Sequence, residues 1–431
     1  MAYTVTTNAD GNGAGTLRYG VDDPDSLGID SIDFDSTGNG SAYDVSNGQL
    51  VISRNLSIAG NGPSNTTLDA GNNDRIFRVQ EGVTFNLSNV TLTNGSVEGN
   101  GGAIRNEGNT TVNNTEITGN TAINGGGIYS GDGEESDGSL TLISSTVDNN
   151  TALNCGGGIY SSGATLSVTN STISSNNASD CGGGLYFNES TTGQFTNATI
   201  AFNQVITPEV VNDGPLLDFF PLSSNSAGGG IYGEATFDSL LDYCLDNYED
   251  FGDLLFCFLF GGDQGFVGRS DVAFINTIVS NNTVNEVLSN CNILMSSLGK
   301  NLDDDSSCFN GATDFHGDPN LGALADNGGP TRTHAIGPDS LAFDNDACAV
   351  FVDQRGLPRP QGADCDIGAY EFQLALGGGV TSTGSSASLP TTGGGADVDR
   401  DGIPDAGTSA VLMLLTAAAA GGLYYGRRRF N

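Results

Sequence analysis

Near its C-terminal end the chain writes Asp397-Val398-Asp399-Arg400-Asp401-Gly402-Ile403-Pro404-Asp405, placing carboxylates at positions 1, 3, 5 and 9 and glycine at position 6. That spacing wraps a chain around a hard cation with oxygen ligands, and the glycine permits the sharp turn. A Ca²⁺-binding loop over 397–408 is expected, held by Asp397, Asp399, Asp401 and Asp405, with a solvated acidic linker as the alternative. Asp303-Asp304-Asp305 lacks the spacing and is expected to be a solvated loop. Acid–base chemistry on a polysaccharide needs paired carboxylates, or carboxylates with a basic residue, on one face. The central region offers Arg105, Glu116, Asp132, Glu134, Glu135 and Asp137 without a repeated constellation, and no catalytic residue is assigned. The eight cysteines fall into neighbouring pairs: Cys155 with Cys181, Cys244 with Cys257, Cys291 with Cys308, and Cys348 with Cys365. Such pairing points to disulfides and an oxidising, extracellular location. Metal binding is the weaker alternative, because no CxxC occurs and His316 and His334 are the only imidazoles.

The elements that must carry these residues are repeats. Gly101-Gly102-Ala103-Ile104 is followed by Gly125-Gly126-Gly127-Ile128-Tyr129, Gly156-Gly157-Gly158-Ile159-Tyr160, Gly182-Gly183-Gly184-Leu185-Tyr186 and Gly228-Gly229-Gly230-Ile231-Tyr232. The aliphatic residues are 24, 31, 26 and 46 residues apart. A second phrase, Ile or Val with Asn three residues on, pairs Ile117 with Asn120, Val147 with Asn150, Ile173 with Asn176, Ile200 with Asn203 and Ile278 with Asn281. Periods of ~20–50 residues mark stacked architectures. Short alternating stretches rich in Thr, Val, Ile and Ser read as strands, with Gly and Asn as turns. The predicted fold is therefore all-β, a parallel β-helix; a β-sandwich with glycine-rich loops is the alternative that in-phase repeats disfavour. One aliphatic residue per rung is expected to build an internal ladder, and the recurring Asn a ladder of amides at a turn. Cys155 and Cys181 each precede a glycine phrase, so they should stack on successive rungs, ~4.8 Å apart.

The organisation expected is an N-terminal cap over 1–45, the β-helix over 46–300, and further rungs or a cap over 301–372. The cap includes a short helix beginning in Gly15-Thr16-Leu17-Arg18-Tyr19. Insertions at 204–226 and 236–265 break the repeat with partly helical, aromatic sequence. They read as a lid packed on the flank, or as an apolar patch for a partner or another copy. A flexible linker over 373–396 follows. Asp plus Glu number 51 against 14 Lys plus Arg, a net charge of −37, and Lys300 is the only lysine. Such a surface repels nucleic acid and favours divalent cations. No leader peptide is visible, because strand-like sequence begins at Tyr3; a missing or removed leader is expected.

Leu389-Pro390-Thr391-Thr392-Gly393 matches the LPxTG pattern read by sortases. An apolar segment of about 17 residues within 409–431 and Arg427-Arg428-Arg429 follow it. Together these resemble a Gram-positive-type cell-wall sorting signal, which implies cleavage between Thr392 and Gly393. About 15 residues separate motif and apolar segment, more than that family uses, so a plain C-terminal membrane anchor is the alternative. The Asp397–Asp405 spacing is similar to the Ca²⁺ loops of EF-hands and thrombospondin type 3 repeats. Thr408 stands where an EF-hand needs Glu, so an EF-hand is not supported.

The rungs resemble those of polymorphic outer-membrane proteins, whose repeats are GGA[ILV] and FxxN; Gly101-Gly102-Ala103-Ile104 matches the first. Residues 321–335, with Asp353-Gln354-Arg355-Gly356-Leu357-Pro358-Arg359-Pro360 and Cys365-Asp366-Ile367-Gly368-Ala369-Tyr370-Glu371-Phe372, resemble the C-terminal part of "choice-of-anchor Q" bacterial surface proteins. This resemblance implies right-handed β-helix repeats and a sorted, surface-held protein, and supplies no catalytic residues. The function expected is non-enzymatic, in adhesion or in a structural, self-assembling coat. Partners would be the cell wall or membrane through the tail, a glycan or matrix ligand, or another copy. A surface-displayed polysaccharide lyase or glycoside hydrolase is the alternative.

Overall fold

A computed structural model describes residues 1–373 apart from 24, 26, 132–137, 189–190, 208–227, 234–270 and 346–347. Short strands separated by Gly and Asn turns cannot bury their apolar faces singly, and here each finds its equivalent one repeat away. Each central turn visits four sheets. One turn runs through Ile104–Asn106, Asn109–Asn113, Glu116–Thr118 and Thr121–Ala122. These strands pair in parallel and in register with Ile128–Gly131, Ser139–Ile143, Thr146–Asp148 and Thr151–Ala152. Repetition gives two ten-stranded sheets, one of seven strands and one of six, a parallel β-solenoid of about nine turns. The sheets are called I to IV below, in the order of that turn, so sheet I holds Ile104–Asn106 and sheet III Glu116–Thr118. Among the described residues helix is confined to the α-helix Leu17–Asp22, capped by the Thr16 hydroxyl, and a 3₁₀ turn at Ser36–Gly38.

Side chains alternate along each strand, so every sheet sends one set inward. Ile104, Ile128, Ile159, Leu185 and Ile231 stack from sheet I, all fully buried. Leu142 and Val168 come from sheet II, and Ile117, Val147, Ile173 and Ile200 from sheet III. The core is thus three aliphatic ladders facing one another rather than the single ladder expected.

The glycine phrases close the corner before sheet I. Gly125 sits at φ +63°, in the left-handed region. A Cβ on Gly126 would lie 2.5 Å from the carbonyl oxygens of Gly157 and Thr151. The first position needs freedom of φ, and the second needs the absence of a side chain.

The amide ladder forms between sheets III and IV. The Nδ2 groups of Asn120, Asn150, Asn176, Asn203 and Asn282 each donate to the next Oδ1, at 2.9 to 3.0 Å, ending on Asn290. The member in the fifth rung is Asn282, not Asn281 as the phrase at Ile278 predicts. Strand pairing aligns Ile200 with Val279 and Thr199 with Ile278. Val279 therefore points inward, while Ile278 points out and packs with Leu302, Ile336 and Ile367.

Over 301–372, Leu302–Asp303 and Phe315–His316 add strands to sheet III. Residues 321–372 do something else: they turn back along the outer face of that sheet. The strands Thr146–Asp148, Thr172–Ser174, Thr199–Ala201 and Ile278–Ser280 are buried on both faces as a result. Gln204–Val205, at the start of the first insertion, is a strand of sheet IV paired with Asn177–Ala178 and Thr283–Val284. Residues 208–226 and 236–265 of the insertions, the Cys244–Cys257 pair, Leu389–Gly393 in the linker, the 397–408 loop and the apolar tail lie outside the described residues.

Candidate functional site on the covered flank

Sheet III presents short polar side chains outward, and the returning segment bonds to them one rung after another. Arg332 is the anchor. Its backbone N–H and Nε donate to Glu116 Oε1 at 3.0 and 3.2 Å, and Nη2 reaches Asp148 Oδ1 at 2.7 Å. Gln354, fully buried, donates to Thr146 Oγ1 at 2.9 Å and accepts from Thr172 Oγ1 at 2.7 Å. His334 Nδ1 faces Gly322 O at 2.7 Å and Nε2 faces Ser174 Oγ at 2.8 Å. A neutral imidazole with its proton on Nδ1 donates to the carbonyl and accepts from the hydroxyl. Ala369 N–H donates to Thr199 Oγ1 at 3.1 Å. The bonds to sheet III cross 160 to 216 residues of chain.

Burial shapes the titration of this flank. Desolvation raises Asp148 to about 6, with Arg332 opposing it. Desolvation also holds His334 below its ordinary range. A serine bonded to an imidazole has the parts of a nucleophile and its base. Ser174, however, is fully buried, and no substrate carbonyl reaches it. The pair is a tie between segment and sheet.

At the edge of the covered region the segment stands off from the solenoid and leaves a cleft of about 170 Å³. Pro63, Ser64, Thr91 and Glu116 line it from the solenoid, and Asp326 and Arg332 from the return segment. Of the carboxylates noted in the sequence, Glu116 alone reaches this place. Arg105 pairs with Glu107 at 2.7 Å on the outer face of sheet I, and Asp132, Glu134, Glu135 and Asp137 lie outside the described residues.

The Asp303–Asp305 run is not a solvated loop. Asp303 is fully buried, accepts from Cys308 N–H at 2.8 Å and meets His316 Nδ1 at 2.5 Å. Asp304 Oδ1 accepts from Asn290 Nδ2 at 2.6 Å, which terminates the amide ladder. The ladder leaves a buried N–H₂ at that end, and a carboxylate fills the need with a charge-assisted bond.

Cys155–Cys181, Cys291–Cys308 and Cys348–Cys365 are disulfides, with Cα separations of 4.7, 5.2 and 5.1 Å. Cys155 and Cys181 form a parallel bridge on successive rungs, as their spacing implies. Asp180 beside that pair, and Asp303 with Asp305 beside Cys308, are the carboxylate–cysteine groupings among the described residues. A disulfide sulfur is no thiolate, so neither grouping offers a thiolate ligand.

Sequence reasoning left the tyrosines without a role. Tyr129, Tyr160, Tyr186 and Tyr232 form one outward column on sheet I, with ring centroids 5.0, 4.2 and 5.3 Å apart. The signal was present: the residue after an inward aliphatic must face outward, and it was tyrosine four times. The return segment was marked in the sequence by the motifs at 321–335, 353–360 and 365–372, but nothing in them indicated partners that lie 160 to 216 residues away. The chain matches no family model, no curated protein and no solved structure.

Proposed function

We propose that the chain is a non-enzymatic, cell-surface protein whose right-handed β-helix is displayed from a C-terminal anchor. It acts in adhesion or as a structural, self-assembling extracellular component. The observation that carries this reading is the use made of the carboxylates on the flank. Glu116 and Asp148 share one guanidinium beneath a docked segment, and Asp303 and Asp304 tie down backbone and ladder ends. They are spent on rigidity, which a displayed rod needs along its whole length. Three disulfides between near neighbours support an oxidising, extracellular setting. Among the described residues no helix is long and apolar enough to cross a membrane, so attachment is assigned to the tail. Leu389, Pro390, Thr391, Thr392 and Gly393 form the sorting motif, cleaved after Thr392, and Asp397, Asp399, Asp401 and Asp405 hold Ca²⁺ in the stalk behind it.

Electron microscopy of the purified protein separates the two roles: filaments or lattices mean assembly, and single rods that bind glycan or matrix mean adhesion. Thr392→Ala should release the protein from the cell surface, and unchanged retention would sink the sorting assignment. Calcium titration should register binding at millimolar Ca²⁺ that is lost in Asp399→Asn. The second reading, a polysaccharide lyase or hydrolase, takes its support from Glu116, a carboxylate that lines the cleft beside Arg332. Product from a polysaccharide panel, abolished by Glu116→Gln with the fold intact, would establish it instead.

A further inference from the structure

We infer that the cleft between the return segment and the solenoid is a binding site for a neutral sugar ring. The groups left over by the protein's own hydrogen bonds carry the inference. Glu116 spends Oε1 on Arg332 and leaves Oε2 unused. Arg332 spends its backbone N–H, Nε and Nη2 and leaves Nη1. Asp326 accepts from Gly328 N–H through Oδ1 and leaves Oδ2. Ser64, exposed at the rim, makes no hydrogen bond with the described residues. Two carboxylate oxygens accept, one guanidinium nitrogen donates, and one hydroxyl does either. Ligand hydroxyls that both donate and accept answer this set. The exposed lining is mostly polar, and half-buried Pro330 adds a small apolar surface beside these groups.

Charge and size narrow the class. Glu116 and Asp326 against Arg332 leave the lining net negative, on a chain of net charge −37. That disfavours phosphates and uronates. The open end of the guanidinium disfavours a bare cation. About 170 Å³ falls below the ~300–1,000 Å³ of drug-sized pockets, so the cleft holds one ring, such as a chain end or a side branch. The site deepens the adhesive arm of the display reading and rests on it for its biological use.

The test uses the full chain, with neutral methyl hexosides (gluco, manno and galacto) as probes, followed by saturation-transfer NMR and calorimetry. At least one hexoside should bind in the millimolar range. Asp326→Asn and Ser64→Ala lie at the exposed rim, outside the Arg332 anchor, and each should weaken binding about tenfold. Glucuronate should bind at least about tenfold more weakly than the best hexoside. No hexoside signal at tens of millimolar, affinity unchanged in both variants, or preference for glucuronate would overturn the site. So would calcium uptake by the cleft that Asp326→Asn abolishes and hexosides displace. Any of these failures leaves surface retention and the Thr392→Ala result untouched, so cleft and display are judged separately.

Discussion

Asp148 is a carboxylate withdrawn from water with one guanidinium facing it. Desolvation outweighs Arg332 and raises its carboxyl from 3.8 to about 6. The folded protein therefore binds this proton more tightly than the unfolded chain does. The resulting stability is fully present below pH ~4 and is lost as the pH rises through 6. Asp148→Asn should remove that dependence. The stability of the wild type relative to this variant should fall by up to about 3 kcal/mol between pH 4 and 7, measured by denaturant unfolding. A difference that stays flat with pH would contradict the assignment. The amide ladder makes a second prediction at the same scale. Asn282 accepts from the backbone and side chain of Asn203 and donates to Ile200 O. Asn282→Ala strands those buried donors and should cost about 2–4 kcal/mol. Asn281 sits at φ +58° outside the ladder, so Asn281→Gly should cost under ~1 kcal/mol. Equal losses would mean that the ladder runs through the other residue.

At the scale of elements, each glycine phrase is a corner where successive rungs approach within backbone contact. Gly126→Ala drives a Cβ against two carbonyl oxygens that cannot move separately. It should cost roughly 3 kcal/mol or more. Gly337 has negative φ and nothing within 4 Å of its virtual Cβ, so Gly337→Ala should be neutral or slightly stabilising. Thermal unfolding of the two variants side by side checks the contrast. The corners were legible in the sequence because each rung repeats them, and the Cys155–Cys181 pair was legible because a parallel ladder stacks equivalent positions. The register slipped at Ile278-Val279, where two apolar residues stand together. The chain alone does not say which faces in, since Ile278 is buried from outside by Ile336 and Ile367. Asp303–Asp305 misled for the same reason: its partners, Asn290, Cys308 and His316, follow no period. Of the cleft's charged residues only Glu116 stood out for its chemistry; Asp326 and Arg332 lie in 321–335, marked by resemblance alone, because that segment carries no repeat.

At the scale of the whole solenoid, residues 321–372 act as a brace laid across consecutive rungs of sheet III. A solenoid opens most easily at local interfaces between rungs. A strap bonded to Glu116, Asp148, Thr172, Ser174 and Thr199 couples those interfaces, because no rung separates without breaking bonds to the strap. Arg332 is where the coupling is concentrated, since it alone bridges two carboxylates on adjacent strands. Arg332→Met keeps much of the stem and removes the charge. It leaves Asp148 buried without its cation, a loss of about 3–5 kcal/mol for a broken buried pair. Part of that loss is recovered where Asp148 takes up a proton, which without the opposing charge of Arg332 happens at a higher pH than in the wild type. Hydrogen exchange should therefore show faster opening across 321–335, 116–118 and 146–148, more at pH 7.5 than at pH 5. The strands of sheet II on the opposite side should keep their protection. Uniform acceleration through all four sheets would instead mean that the strap is one cooperative unit with the rungs, and unchanged exchange would mean that Gln354 and His334 hold it without Arg332.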